Sequence, residues 1–182
     1  MGGYGGSLKN IAIGCASGAH GKAQVHAVLK DGTWPKGEIF QEHMADAGKG
    51  IVDHFGNKIV YINVLRNMSI DCDCAGVAAS THTMPDLGIF ASTDLVAIDQ
   101  ASIDLIYAMP EYVNHTLVNR IETRKGLRQL PAVKSFVYLT ENPVKDHWKT
   151  ALTRPNKKRH ARGRIFIAFL PSSFLSHQIC GF

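Results

Sequence analysis

The segment Lys58–Leu65 restricts the fold of this chain more than any other stretch. It reads Lys-Ile-Val-Tyr-Ile-Asn-Val-Leu, a run of β-branched and aromatic residues that is typical of a largely buried β-strand. The preceding segment, Glu38–Phe55, predicts an amphipathic helix, because its apolar residues recur at steps of three and four: Phe40, Met44, Ala47, Ile51 and Phe55. Gly56 and Asn57 then supply a helix end. A helix joined by a short turn to a buried strand predicts a fold that mixes helices and strands.

Other segments fit the same kind of fold. Pro85–Ser92 predicts a second short strand, and the segment from Leu95 to Met109 predicts a helix with an apolar stripe. A charged helix is predicted over Val118–Gln129. Near the start, Leu8–Ile13 fits either a buried strand or the last turn of a helix. The expected fold class is therefore α/β or α+β, with a small, mainly buried sheet and packed helices.

The basic character of the chain is confined to its C-terminal part. Residues 144–182 hold eight of the 20 Lys and Arg residues but one of the 15 Asp and Glu residues, which gives this segment a net charge of +7. The rest of the chain carries −2, so the whole chain has a net charge of +5. The composition changes near residue 142, and we expect a domain over residues 1–142 and a divergent or disordered tail over residues 143–182. The basic run Lys157–Arg164 lacks the interleaved aromatic residues of a nucleic-acid channel, so nucleic acid is not an expected partner.

Cysteine usage and hydropathy bear on the compartment. The N-terminus has neither the basic residues nor the apolar run of a signal peptide, and no stretch is long and apolar enough to span a bilayer. The four cysteines have irregular spacing, which favours reduced thiols or metal ligands over a disulfide framework. We therefore expect a cytoplasmic chain without membrane association.

Two thiols one residue apart are the most distinctive chemical feature of the sequence. Cys72 and Cys74 alternate with Asp71 and Asp73, shortly after the predicted strand Lys58–Leu65. Thiolates suit zinc, cuprous copper and iron–sulfur clusters, whereas carboxylates suit harder ions. The pattern predicts a metal or redox centre, and the alternative is that the cysteines are ordinary small buried residues.

A second candidate site combines the glycine-rich turn Gly14–Lys22 with the junction between the second predicted strand and the helix after it. A phosphate-binding P-loop is excluded, because Ala16 occupies its first glycine position and Ala23 its Ser/Thr position. A more general anion-binding turn stays open. The candidate residues for a small anionic ligand are Lys22, Ser92, Thr93, Asp94 and Asp99, with either aspartate as a base. No nucleophile–base pair is evident, so the sequence assigns no reaction class.

Asp94 has a second interpretation. It directly precedes the helix predicted from Leu95, and an aspartate at that position can accept hydrogen bonds from the free N–H groups of the first turn. Thr93 could do the same. The sequence favours a helix cap over a ligand at Asp94.

Several ordered motifs together resemble a known family. The block Gly-Gly-Ser-Leu-Lys-Asn from Gly5 and the block Ala-Ser-Thr-Asp-Leu-Val-Ala-Ile-Asp-Gln from Ala91 carry most of the likeness, and further motifs agree: Tyr61–Leu65, Asp71–Ala75, Pro85–Ile89 and Arg120–Leu130. The chain resembles the family called domain of unknown function 362 over roughly residues 3–130. Members of that family are often described as iron–sulfur centre proteins, but this chain lacks a ferredoxin-type Cys-x-x-Cys-x-x-Cys-x-x-x-Cys run.

The resemblance and the cysteine pattern together define a ligand set. Cys72, Cys74 and Cys15 would supply three ligands to an iron–sulfur cluster or to zinc. The candidates for the fourth are His26, His20, an exogenous ligand or a residue of a missing half of the fold. A redox role would require a redox partner protein. The resemblance also implies that the chain corresponds to the C-terminal half of a larger family fold, so we expect a missing N-terminal half or a second copy as a further partner.

Overall fold

The computed structural model describes residues 5–18, 20–70, 84–136 and 165–168. The elements in these ranges are α1 (Ser7–Lys9), which continues as a π-helical segment (Asn10–Gly14), then α2 (Gly21–Val25), α3 (Gly37–Phe55), β1 (Tyr61–Leu65), β2 (Gly88–Ser92), α4 (Leu95–Ala108), α5 (Glu111–Thr123), a 3-10 turn (Gly126–Arg128), α6 (Gln129–Phe136) and β3 (Ile165–Ala168). This mixture of helices and strands confirms the predicted fold class. The short apolar run near the start is helical, which decides between its two interpretations.

The strands pair in an antiparallel manner. Within the described residues, the sheet has the order β1-β2-β3. Between β1 and β2, Tyr61 lies opposite Ser92 and Leu65 lies opposite Gly88. On the other side of β2, Ser92 lies opposite Ile165. β3 falls within the segment 143–182, and the division of the chain near residue 142 stays a prediction.

β1 is buried on one face alone, which corrects the expectation of a largely buried strand. Tyr61, Asn63 and Leu65 point into the protein, whereas Ile62 and Val64 alternate with them and are 61% and 56% exposed. The alternation follows from the period of two residues in a β-strand, because successive side chains point to opposite faces of the sheet. The described helices pack against one face of β1 and leave the other open.

The core joins α4 to the inner face of the sheet. α4 buries most of its apolar residues, and they pack with the inward side chains of both paired strands: Leu95, Val96, Ile98, Ile103 and Ile106 with Tyr61, Leu65 and Phe90. α6 packs on both α3 and α4, so the helices form a layer over one face of the sheet. This layer positions the N-terminal segment described next.

The N-terminal helical segment Ser7–Gly14 runs along α3 in the opposite direction. Its Leu8 lies beside Gly48, where an added Cβ atom would come within 2.6 Å of Leu8 Cδ1. Its Ala12 packs with Met44 and Phe40, which lie nearer the start of α3. Gly48 therefore allows the close approach of Leu8, and it does not adopt a special backbone conformation.

The predicted helix ends are partly confirmed. α3 matches the predicted helix Glu38–Phe55 to within one residue, and α4 begins at Leu95 as predicted. The predicted helix Val118–Gln129 is wrong in its bounds, because α5 ends at Thr123 and a separate helix starts at Gln129. The reason is Lys125, whose left-handed backbone (φ of 56°) interrupts the helix between α5 and the 3-10 turn.

In the part of the chain that the structure describes, none of the helices combines the length and apolar character required to cross a bilayer.

Candidate functional site

The connection that carries Cys72 and Cys74 leaves and re-enters the sheet at one end. It runs from Arg66 to Leu87, 22 residues between two strands that pair directly with each other. Both cysteines, with Asp71 and Asp73, belong to residues 71–83, which lie outside the described ranges. What the structure does show is the base from which this connection extends.

The connection has two arms, one that leaves β1 from Arg66 and one that returns to β2 at Leu87, and we call the part next to the sheet its base. Asp86 links the two arms at this base. Its Oδ1 accepts a hydrogen bond of 3.0 Å from the backbone N–H of Asn67, and its Oδ2 lies 3.3 Å from Nε of Arg66. The backbone N–H of Leu87 donates to the carbonyl oxygen of Leu65 at 2.8 Å, which extends the pairing of the strands by one bond. Further along the arms, Met68 packs against the core and Met84 is buried in it. The base of the cysteine connection is thus held by polar and apolar contacts.

Cys15 and His26 lie toward the same end of α3. Cys15 follows the π-helical segment and has an exposed free thiol. His26 is half-buried, with its ring centroid 5.2 Å from that of Phe40, and Phe40 also contacts Ala12, one turn before Cys15. Among the described residues, no three His, Cys, Asp or Glu side chains come together as a metal-binding group. Cys15 and His26 therefore lie among the described residues without forming a ligand group there, whereas Cys72 and Cys74 lie outside those residues.

The glycine-rich turn is shorter than its predicted range, because α2 begins at Gly21. The hydroxyl of Ser17 accepts a hydrogen bond of 2.9 Å from the N–H of Gly21 and caps this short helix. Lys22 lies within α2, and its side chain is outside the described part of the structure. α2 packs against α3 and the π-helical segment, whereas Ser92 and Asp94 belong to the junction of β2 and α4. The two halves of the predicted anion site are thus attached to different elements.

At the junction of β2 and α4, the polar groups bind one another. Oδ1 of Asp94 accepts hydrogen bonds of 2.9 Å from the N–H groups of Val96 and Ala97, which confirms the predicted helix cap. Oγ of Ser92, which is 2% exposed, accepts a 2.9 Å hydrogen bond from the N–H of Asp94. Thr93 is exposed. This junction and the base of the cysteine connection lie at opposite ends of β2, about 14 Å apart.

Asp99 is fully buried and binds the start of the N-terminal helix. Its Oδ1 accepts hydrogen bonds of 2.8 Å from the N–H of Ser7 and from Nδ2 of Asn63, and its Oδ2 accepts one of 2.9 Å from the N–H of Leu8. Nδ2 of Asn63 also donates to Oγ of Ser102 at 3.0 Å. Asn63 in turn accepts a 2.7 Å hydrogen bond from the hydroxyl of Ser7. The carboxylate thus caps a helix that lies more than 90 residues away in the sequence.

Sequence reasoning missed most of this network. Asp99 was a ligand candidate, and its role as a ligand or base stays a prediction, although both of its oxygens already accept hydrogen bonds inside the protein. Ser7, Asn63 and Ser102 carried no local signal, apart from the fact that Asn63 interrupts an otherwise apolar strand. A polar residue at an inward position of a strand is a signal that could have identified Asn63 as part of a buried polar network.

The environment of Asp99 also affects its protonation. Burial raises the pKa of Asp99 above its ordinary value, and the hydrogen bonds from Asn63, Leu8 and Ser7 act in the opposite direction. The pKa of the neighbouring Tyr61 is raised as well, to about 12, by burial and by the negative charges of Asp94 and Asp99. Both groups therefore favour their neutral forms more than they would in water.

The direction of the Asp99 shift predicts a pH dependence of stability. A carboxyl group whose pKa is higher in the folded than in the unfolded protein stabilises fully below the unfolded value, here 3.8, and this contribution is lost as the pH rises through the folded pKa. We expect the difference in unfolding free energy between the unsubstituted protein and Asp99→Ala to be largest at acidic pH and to shrink as the pH rises. Urea unfolding over about pH 3 to 8 measures this difference. A difference that grows with pH would show that the hydrogen bonds outweigh burial.

Comparison with known protein families identifies a match. The model of a family described as Domain of unknown function (DUF362) matches residues 1–104, which include the N-terminal helical segment, β1, β2 and the first part of α4. No curated protein and no solved structure matches the chain. The matched residues cover more than half of the chain and contain Cys15, Cys72, Cys74 and Asp99. The chain therefore belongs to the DUF362 family.

Proposed function

We propose that this protein binds a metal ion or an iron–sulfur cluster through the thiolates of Cys72 and Cys74. The observation that carries the proposal is the length of the connection between β1 and β2. A two-residue turn is enough to join antiparallel strands, yet this chain uses 22 residues and places both thiols among them. Connections longer than about 12–15 residues without secondary structure of their own are uncommon in compact domains, and long connections often carry function.

The chemistry of the donor set supports a thiophilic metal. Two thiolates one residue apart favour zinc, cuprous copper or an iron–sulfur cluster over magnesium or calcium. Asp71 and Asp73 add negative charge that a bound cation would compensate. Cys15 is the candidate third ligand, since its thiol is exposed at the end of the π-helical segment, and His26 is the candidate fourth. Zinc and an iron–sulfur cluster remain the two alternatives.

The second candidate function, binding of a small anion, has less support. Ser92 and Asp94 use their oxygens to accept hydrogen bonds at the start of α4, and Asp99 uses both oxygens to hold the N-terminal helix. A carboxylate-rich junction of this kind also repels an anion unless a cation compensates. We therefore place the function at the two thiols.

Anaerobic purification followed by assays for iron, acid-labile sulfide and zinc tests the proposal. We expect the unsubstituted chain to contain bound metal and the double variant Cys72→Ser/Cys74→Ser to lose it, because a hydroxyl is a poor ligand for a thiophilic metal. Cys180→Ser is the matched control, since it removes one thiol from the tail and should leave the metal content unchanged.

The outcome of the metal assays also distinguishes between zinc and an iron–sulfur cluster. Iron and sulfide in equal amounts, with absorption at about 400 nm, would identify a cluster and a redox role with a redox partner protein. Zinc alone would identify a structural or Lewis-acid site. A metal-free unsubstituted chain, or equal metal contents in all variants, would contradict the proposal.

A further inference from the structure

Two glutamines, Gln41 on α3 and Gln129 at the start of α6, have fully buried side chains. Nε2 of Gln41 donates a hydrogen bond of 2.9 Å to the carbonyl oxygen of Arg124, at the end of α5. Within the described ranges, no hydrogen-bond partner lies near the other amide atom of Gln41, Oε1, or near either amide atom of Gln129, Nε2 and Oε1. The two side chains therefore hold three buried polar atoms that still need a partner.

The two glutamines belong to the same contact between α3 and the chain that enters α6. Gln41 binds the backbone of Arg124, as described above. Glu42, the next residue on α3, accepts hydrogen bonds of 2.8 and 2.6 Å from Nε and Nη2 of Arg128, the residue before Gln129. α6 then packs along α3. Because the residues next to both glutamines contact each other directly, both carboxamides lie at one helix–helix interface.

The surroundings of the two carboxamides restrict what can bind them. One turn further along each helix, the chain supplies small apolar core residues: Ala45 after Gln41, and Ala132 and Val133 after Gln129. The charged pair beside the interface is exposed and its two members bind each other. An ion would therefore lose its hydration without gaining a buried counter-charge, which is unfavourable. The complete burial of both side chains also excludes a large ligand, so the group that fits is small and uncharged.

We propose that Gln41 and Gln129 bind a buried water molecule between α3 and α6. Water can accept a hydrogen bond from the N–H of a carboxamide that is cis to the carbonyl while it donates one to the oxygen of the same group. At Gln129 this arrangement uses both amide atoms, and the second hydrogen of the water is free to bind Oε1 of Gln41. The three hydrogen bonds match the typical number for a buried water, about three. The water joins α6 to α3, independently of the two thiols.

NMR spectroscopy of the full chain tests for this water directly. We expect the side-chain amide protons of Gln129 to give cross-peaks to the water resonance that differ in sign between NOE and ROE experiments. This sign change identifies contact with a long-lived bound water, whereas exchange of amide protons with the solvent gives the same sign in both experiments. The exposed amide of Gln24 is the internal control and should give no such cross-peak. Absence of the sign change at Gln129 would overturn the proposal.

Gln129→Met provides a second test, because methionine has a similar size but neither amide atom. If the water is bound, the substitution removes its hydrogen bonds and should lower the urea midpoint of unfolding by about 0.5 M. If Gln129 is instead buried without a partner, its removal should raise the midpoint, which would contradict the proposal. Gln24→Met is the matched control and should leave the midpoint unchanged. A lower midpoint for Gln129→Met without the water cross-peak would show that the amide binds another protein group, which would also overturn the proposal.

Discussion

Replacement of Asp99 by alanine is expected to lower the free energy of unfolding by about 2–4 kcal/mol. The side chain is fully buried, and its two oxygens accept hydrogen bonds from the N–H groups of Ser7 and Leu8 and from Asn63. Alanine removes both oxygens. The buried N–H donors then lose their acceptors, which costs more than the hydrogen bonds themselves contribute.

Asp104→Ala is the matched control for this substitution. Asp104 lies on the same helix and accepts a hydrogen bond of 2.8 Å from Gln100, but it is only partly buried. Its replacement should change the unfolding free energy by no more than about 0.5 kcal/mol. Urea unfolding at neutral pH measures both variants. Equal effects at the two positions, or an effect below about 1 kcal/mol at Asp99, would contradict the structural role of the carboxylate.

Helices that are determined by contacts between residues close in sequence could be predicted from the sequence. α3 follows from apolar residues at helical spacing, and the start of α4 follows from Asp94, which supplies a cap within three residues of the N–H groups it binds. The end of α5 was missed, because the sequence Lys-Gly at Lys125 allows a left-handed turn without requiring it. In these cases, a helix bound could be predicted when the contact that determines it joins residues close in sequence.

Features that depend on distant contacts could not be predicted. The backbone donors that bind Asp99 lie 91 and 92 residues before it in the sequence and the Asn63 donor lies 36 residues before it, so no periodicity connects them. The same contacts explain why the apolar run near the start is helical, because Asp99 accepts from the N–H groups of its first turn. The exposure of Ile62 and Val64 was missed for a related reason. The sequence of a uniformly apolar strand does not show whether one face or both faces are covered by other elements.

The arrangement also separates the part of the fold that gives stability from the part that we propose gives function. The buried polar network joins the N-terminal helix, β1 and α4 through Ser7, Asn63 and Asp99. The cysteine connection starts beyond the end of β1 and is held at its base by exposed contacts of Asp86. Substitutions at the thiols should therefore change metal content with little effect on the unfolding of the core, whereas substitutions in the network should do the reverse.

Gly6 provides the second large expected effect, because it allows the approach of Asp99. A Cβ atom on Gly6 would lie 2.6–2.7 Å from the carboxylate atoms of Asp99, closer than van der Waals contact permits. The backbone of Gly6 is extended, with φ of −105° and ψ of −170°, so alanine meets no conformational strain there and the obstacle is steric. We expect Gly6→Ala to lower the unfolding free energy by about 2–3 kcal/mol, as the helix start or α4 must shift and stretch the hydrogen bonds to Ser7 and Leu8.

Two further variants separate this steric effect from a general effect of removing glycine. Gly14→Ala is the matched control, since no atom lies within 4 Å of its added Cβ, and alanine there should leave stability unchanged or raise it by up to about 1 kcal/mol. The double variant Gly6→Ala/Asp99→Ala should be no less stable than Asp99→Ala alone, because removal of the carboxylate removes the clash. Additive losses in the double variant, measured by urea unfolding, would show that Gly6 is needed for a reason other than the approach of Asp99.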